Sequence, residues 1–296
     1  MPRALTVLGA AGAGALVYGS VIERQAFTVR RFDVPVLDRG AKPVRLLHVS
    51  DLHITKRQHR KHAWIRGLAR LRPDLVINTG DTLSAPDAIP AVLAALEPLG
   101  EFPAVFVPGN NDYYAPQLRN PASYFRAPDP DPDHRRHGPP LPWPQLASAL
   151  VHSGWRDLTH AKGWMTICGQ RIALAGTDDP HLRRARYDLI AGPAQQNAVV
   201  RIGVTHSPEP FLLTRFAADG YDLVLAGHTH GGQIRLPFGP AIITNCGIDG
   251  RRARWLHCWN DRMYFHVSAG LGTNPYTPVR FCCRPEATLL TLVPRS

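Results

Sequence analysis

The chain has 296 residues and a formal net charge of +11, with 44% hydrophobic and 19% charged residues. That is long enough to bury a sizeable core, and the composition is that of an ordinary globular protein. The positive balance either serves solubility or attracts anions: phosphate substrates, nucleic acid or an anionic membrane face. Five cysteines, with Cys282 and Cys283 adjacent and no CxxC spacing, argue against a disulfide scaffold and against a cysteine zinc site, and point to reduced thiols in a cytoplasmic setting.

In chain order, Ala4 to Ile22 is an uncharged run rich in Ala, Gly, Leu and Val, long enough to cross a bilayer core as a helix. A cleaved signal peptide and a buried N-terminal helix are alternatives, but no clear small-residue cleavage site precedes Glu23. The expectation is a single-pass anchor over residues 1–25, followed by a catalytic domain over 26–296. Only Arg3 precedes the run, whereas Arg24, Arg30 and Arg31 follow it, which places that domain in the cytoplasm.

Phe27–Asp38 reads as extended and Gly40–Pro43 as a turn. Buried strands are expected at Arg45–Ser50, Leu75–Asn78, Ala104–Val107, Arg201–Val204 and Leu223–Leu225, each an apolar run ending in polar residues. Helical patterns lie between them at Lys56–Leu71 and Pro86–Leu96. The first of these, with the residue that follows it, is strongly basic (Lys56, Arg57, Arg60, Lys61, Arg66, Arg70 and Arg72), reading as a solvated face or as a patch for anionic headgroups. Residues 120–144 form a Pro-rich insertion, a surface loop or a lid beside the site. Further strands are expected at Met165–Cys168, Arg171–Ala175, Ala241–Thr244, Tyr264–Val267 and Thr288–Leu292. Together these patterns predict an α/β fold with two mixed β-sheets and flanking helices.

Five short strings stand at strand ends: Asp51-Leu52-His53, Gly80-Asp81, Gly109-Asn110-Asn111-Asp112, Thr205-His206 and Gly227-His228-Thr229-His230. Singly they are weak signals. In this order they offer seven metal donors: Asp51, His53, Asp81, Asn110, His206, His228 and His230. Asp51 and His53, two apart on extended backbone, share a face, and the two oxygens of Asp81 can bridge two cations.

The ordered set resembles the calcineurin-like metallophosphoesterase family from about Arg45 to Pro294. Ala226–Gln233 and Ser268–Thr273 are similar to strings of its membrane-associated, YkuE-like branch. The resemblance implies a four-layer αββα sandwich and two divalent ions (Mn, Fe or Zn). One would be held by Asp51, His53, Asp81 and His230, the other by Asp81, Asn110, His206 and His228. It also implies phosphoester hydrolysis by in-line attack of a hydroxide between the two ions. The family usually has a histidine after the asparagine ligand, where it contacts the phosphate and protonates the leaving oxygen. Here that residue is Asn111, an amide that cannot donate a proton at neutral pH.

The expected catalytic residues are therefore Asn111 and Asp112, with Asp112 orienting a ligand from behind. Tyr113 and Tyr114 are candidates to reach the phosphate, as are Arg183, Arg184 and Arg186 after Asp178-Asp179-Pro180-His181. A phosphoanhydride, whose leaving group needs little protonation, suits Asn111. The branch includes enzymes that split the pyrophosphate of UDP-diacylglucosamine, so the expected substrate is a phosphorylated small molecule or a lipid-linked pyrophosphate. Rival readings are a metal-binding protein of low hydrolytic activity and a nuclease, though no nucleic-acid module supports the latter.

Overall fold

The computed structural model describes residues 12–118 and 137–295. One sheet has the order β1-β12-β2-β3-β4-β5, where β1 is Thr28–Leu37, β2 Val44–Val49, β3 Leu75–Asn78, β4 Ala104–Phe106, β5 Trp155–Asp157 and β12 Glu286–Pro294. The other has the order β10-β11-β9-β8-β7-β6, where β6 is Ala161–Ile167, β7 Gln170–Gly176, β8 Val200–Val204, β9 Leu223–Ala226, β10 Trp255–Trp259 and β11 Met263–Val267. Both sheets are mixed. β2, β3, β4 and β5 run parallel, as do β7, β8, β9 and β11, whereas β12 meets β2 and β10 meets β11 antiparallel.

Alternation along the strands builds the layers. Leu46, Leu75, Ile77 and Val105 from the first sheet meet Ile172, Leu174, Ile202 and Leu225 from the second in one inner core. The next residues along, Leu47, Val49, Val76 and Phe106, point the other way, against α1 (His59–Gly67), α2 (Ile89–Leu96) and α4 (Trp143–His152), with the short α3 (Asn110–Tyr113) between the last two in sequence. On the far side Val224, Phe265 and Val267 pack on Leu212, Leu213 and Phe216 of α5 (Pro210–Ala218). Both faces of the central strands are covered, so they read as continuous apolar runs rather than alternating ones. The order of layers is helix, sheet, sheet, helix, as the sequence predicts.

Three expectations need correction. Ala241–Thr244 is not a strand; Ala241 makes a lone bridge to Arg235. Residues 120–136 of the Pro-rich insertion lie outside the described residues, but its last part belongs to the body. Leu141 and Trp143 are buried in the outer core, and the proline at 144 stands in the first turn of α4, where its missing N–H is harmless.

The third correction concerns the N-terminus. Residues 4–11 lie outside the described residues, and no helix among the described residues is long and apolar enough to cross a membrane. The helix over 12–17 gives way to a wider turn at Tyr18–Ile22 and a tight one at Glu23–Gln25. That stretch docks on the catalytic body instead of continuing. Gly19 accepts the Arg280 N–H through its carbonyl, Tyr18 meets Phe281 edge-on, and the buried Glu23 carboxylate accepts the N–H groups of Cys282 and Cys283. The single-pass anchor, and the placement of the domain derived from it, are not supported.

Between the sheets lies a polar contact inside the inner core. His48 of β2 and His266 of β11 meet Nδ1 to Nδ1 at 2.9 Å, and His48 Nε2 is 2.9 Å from Thr79 Oγ1. Burial pushes the His48 imidazole down to about 3 from its usual 6.5, so it stays neutral in the folded chain. As pH falls, the unfolded chain takes up this proton first. The stability His48 contributes is therefore complete above about 6.5 and is lost between there and about 3. Urea unfolding across that window should show His48→Gln losing less stability per pH unit than the parent, by up to about 1.4 kcal/mol per unit. Parallel slopes would refute this.

Candidate metal centre

The parallel strands of each sheet release their motifs at one common edge. Asp51 follows β2, Asp81 follows β3, Asn110 follows β4, His206 follows β8, and His228 and His230 follow β9. Backbone bonds lace these loops together. Asp51 N–H donates to the Gly80 carbonyl and His53 N–H to the Asp81 carbonyl, both at 2.9 Å, and Gly227 N–H donates to the His206 carbonyl at 2.7 Å. Two glycines permit the close approach. A Cβ on Gly109 would strike Asp81 and His206, and one on Gly227 would strike Ser50 and Asp51. Five of the seven candidate ligands, Asp51, His53, Asp81, His228 and His230, have φ between 44° and 68°. Non-glycine residues rarely adopt that left-handed region, and such strain concentrates at functional sites.

The side chains form two groups that meet on Asp81. In the first, ligand atoms of Asp51, His53, Asp81 and His230 all lie within 4.8 Å of one another. His53 Nε2 is 3.5 Å from Asp81 Oδ2 and 3.3 Å from His230 Nε2, and His230 Nε2 is 3.6 Å from Asp51 Oδ1. In the second, His206 Nε2 is 3.4 Å from Asp81 Oδ1, and His228 Nδ1 is 3.2 Å from His206 Nε2 and 3.1 Å from Asn110 Oδ1.

The outer nitrogens indicate what lies inside. His206 Nδ1 is 2.7 Å from the Thr79 carbonyl and His228 Nε2 is 3.2 Å from the Asn245 carbonyl. A carbonyl only accepts, so each of these nitrogens carries the proton, and in the neutral rings His206 Nε2 and His228 Nδ1 present lone pairs. With both rings neutral, two lone pairs, an amide oxygen and a carboxylate oxygen converge. A cation fits that donor set, and nitrogen mixed with oxygen is the borderline environment suited to Mn, Fe or Zn.

Electrostatics agree. Burial pushes the Asp51 carboxyl up to about 6, and Asp81 repels it further, against the pull of His206 and the hydrogen bonds from Ser50 and the His228 N–H. Burial also disfavours the Asp81 anion, but His206, His53 and Asn111 outweigh it and hold the carboxyl well below its usual range. Burial alone would lower His206, yet Asp81 holds it well above the usual imidazole range, whereas burial leaves His228 and His230 well below it. In the bare protein His206 Nε2 therefore keeps a proton that a cation must displace. Metal binding near neutral pH should release about one proton and tighten as pH rises. Titration calorimetry in buffers of different ionisation enthalpy reads this directly; identical heats would contradict it.

The expected catalytic pair is placed differently from a phosphate-contacting pair. Asn111 donates its N–H to Asp81 Oδ1 at 2.7 Å and its side-chain amide to Asp81 Oδ2 at 2.6 Å. Asp112 is fully buried. Its Oδ1 accepts from the Thr82 and Leu83 N–H groups and its Oδ2 from Gly109, so one carboxylate clamps the Asp81 loop to the Asn110 loop. Burial and the Asp81 charge push it up to about 7 against those three donors. Asp112→Ala would strand three buried N–H groups, at about 1–3 kcal/mol each. It should lower the melting temperature and weaken metal binding together, as read by calorimetry; an unchanged melting temperature would rule the clamp out.

Tyr113 donates a hydrogen bond from its hydroxyl to Asp178 (2.9 and 3.0 Å to the two oxygens), and Tyr114 stacks on His137 at 4.5 Å. Sequence reasoning missed two buried cations behind the centre. Lys61, read as part of a basic helix face, donates to the carbonyls of Leu52 and His53, and burial lowers it to about 7. Arg280 is enclosed by the carbonyls of Ala269, Gly270, Gly272 and Cys283. Lys61 shows no separate signal within a run of basic residues, and Arg280 stands in no motif.

Two sheets presenting such a centre at their shared carboxyl edge define a metal-dependent phosphoester hydrolase. Residues 44–232 match the model of the family described as calcineurin-like phosphoesterase, and the chain belongs to that family. It is 26% identical to the uncharacterized metallophosphoesterase YkuE of Bacillus subtilis, over 97% of this chain and 94% of that protein. It is 25% identical to the phosphodiesterase YaeI of Escherichia coli, over 98% and 96%. To the UDP-2,3-diacylglucosamine pyrophosphatase LpxG of Chlamydia trachomatis it is 24% identical, over 97% and 95%.

Proposed function

We propose that this chain hydrolyses a phosphodiester or phosphoanhydride at a centre for two divalent cations. Asp51, His53, Asp81 and His230 would hold one, and Asp81, Asn110, His206 and His228 the other. The observation that carries this reading is the pair of acceptor clusters meeting on the two oxygens of Asp81. When bound, two such cations would neutralise phosphoryl charge and acidify water enough to provide a nucleophile at neutral pH.

The protein's own groups prepare that centre. Thr79 and Asn245 hold the Nδ1 proton of His206 and the Nε2 proton of His228 outward, so both rings, when neutral, turn lone pairs inward. Asn111 fixes both oxygens of Asp81 and has no proton to give a departing alkoxide. A leaving group that is stable as an anion suits such a site, which favours a phosphoanhydride. The pyrophosphatase name of the Chlamydia relative supports the same class, and a lipid-linked pyrophosphate is the first substrate to try.

Protein loaded with Mn, Fe or Zn should turn over anhydrides and activated aryl diesters, with alkyl esters slower by about 10²-fold or more. Asp81→Ala should bind neither cation tightly and lose turnover. Alkyl esters cleaved as fast as anhydrides would defeat the leaving-group claim, and an active, metal-loaded Asp81→Ala would defeat the centre itself.

A further inference from the structure

The segment after β7 passes over the outer side of the second acceptor cluster. Its residue His181 is half-buried, with its ring against the His228 ring at a centroid distance of 4.5 Å and 41° between planes. Three residues on, the Arg184 guanidinium covers the Tyr113 ring at 4.1 Å, and its Nε donates to Asp178 Oδ2 at 3.3 Å. Tyr113 belongs to α3, the helix that opens with Asn110, so His181 and Arg184 are tied to the centre from two sides. About 45% of the Arg184 side chain remains exposed.

The segment is built to hold these positions. Asp179 is fully buried, and its carboxylate accepts the N–H groups of His181 (3.2 Å) and Leu182 (2.7 Å), while its carbonyl accepts the Arg184 N–H at 3.0 Å. Asp178 joins Tyr113 to Arg184 by accepting from both. Stacking on an aromatic face with one edge bonded pre-orders the guanidinium, and a pre-ordered planar fork suits a phosphoryl group.

We infer that Asp178–Arg184 forms the leaving-group subsite, in which His181 and Arg184 hydrogen-bond a second phosphoryl group attached to the one being cleaved. This rests on the proposed hydrolysis and assigns it an anionic, phosphorylated leaving group. In the step, water oxygen forms the new bond to phosphorus, the water's proton is lost to solvent, and the bond to the bridging oxygen breaks. The electron pair stays on the departing phosphate, whose charge the Arg184 guanidinium and the His181 N–H stabilise by hydrogen bonding without giving up a proton. Asn111, engaged with Asp81, takes no part in that contact.

The test compares Arg184→Gln and His181→Gln with the parent in metal-loaded protein. Calorimetry with inorganic pyrophosphate and with inorganic phosphate reads the subsite without catalysis. Each variant should lose about tenfold in pyrophosphate affinity, about 1.4 kcal/mol, with phosphate affinity and metal content unchanged. In turnover, a nucleoside diphosphate sugar and a lipid diphosphate in detergent should each lose about tenfold in kcat/KM. Bis(p-nitrophenyl) phosphate, whose leaving group carries no phosphoryl, should change less than about threefold. Loss on one anhydride alone would still support the subsite and name the source it reads. Equal losses on anhydride and aryl diester, or unchanged pyrophosphate binding, would overturn it. A parent protein that binds pyrophosphate more tightly than phosphate but hydrolyses nothing would instead refute the proposed function.

Discussion

The structure is organised around a carboxylate with two sides. Asp81 presents one oxygen to His53 and the other to His206, and each direction leads to a further imidazole. A buried carboxylate surrounded by inward-facing acceptors is unfavourable unless something positive lies between them. The fold accepts that arrangement, along with left-handed backbone at five of the seven candidate ligands, because the loops cannot relax independently. Backbone bonds join the Asp51 loop to the Asp81 loop, and Asp112 joins the Asp81 loop to the Asn110 loop. Each strained residue is held by its neighbours, so the geometry precedes any cation.

Behind this acidic and imidazole-rich front, the protein places buried positive charge, and Arg280 Nη2 comes within 3.4 Å of His230 Nδ1. Lys61 draws the carbonyls of Leu52 and His53 toward itself, which orients the backbone carrying His53. Arg280 gathers the carbonyls of Ala269, Gly270 and Gly272, and Gly270 is the residue packed on the Asp51 side chain. Glu23 then fixes the next turn through the N–H groups of Cys282 and Cys283, and Cys283 Sγ donates to the His230 carbonyl at 3.2 Å. The N-terminal segment is thus part of the support of His230. This is why its helix stops where it does: the chain turns at Tyr18–Ile22 to bring Glu23 into the fold.

Much of the fold was legible because central strands covered on both faces leave uninterrupted apolar runs, and most of the predicted strands are present within a few residues. The strands that escaped notice, β5 and β10, are edge strands with a mixed burial pattern, Trp155-Arg156-Asp157 and Trp255–Trp259, so neither a run nor a clean alternation marks them. Ala241–Thr244 has strand-forming residues but finds no sheet edge to join. The seven candidate donors stood out in the sequence because metal-ligand chemistry restricts residue type and the strand ends restrict position. Their support did not: Lys61, Arg280, Glu23 and Asp179 act through backbone groups, which every residue carries, so no residue-type pattern marks the pairing. The apolar N-terminal run misled because hydropathy cannot distinguish a helix for lipid from one that docks its far end on the protein.

Asn111 shows how one residue can change its role without leaving its place. An imidazole at this position could give a proton outward, whereas the shorter side-chain amide turns to Asp81 Oδ2, beside the backbone N–H that donates to Oδ1. A carboxylate oxygen that accepts a hydrogen bond still has a lone pair for a cation, so the amide does not close the site. It does two things to Asp81. It stabilises the anion, one of the influences that hold this carboxyl well below its usual range, and it fixes the carboxylate plane so that each oxygen keeps to its own cluster. A free carboxylate could rotate and offer both oxygens to one side. Asn111 therefore belongs with the groups that define a two-sided Asp81, and stabilisation of the departing oxygen falls to groups on the far side of His228.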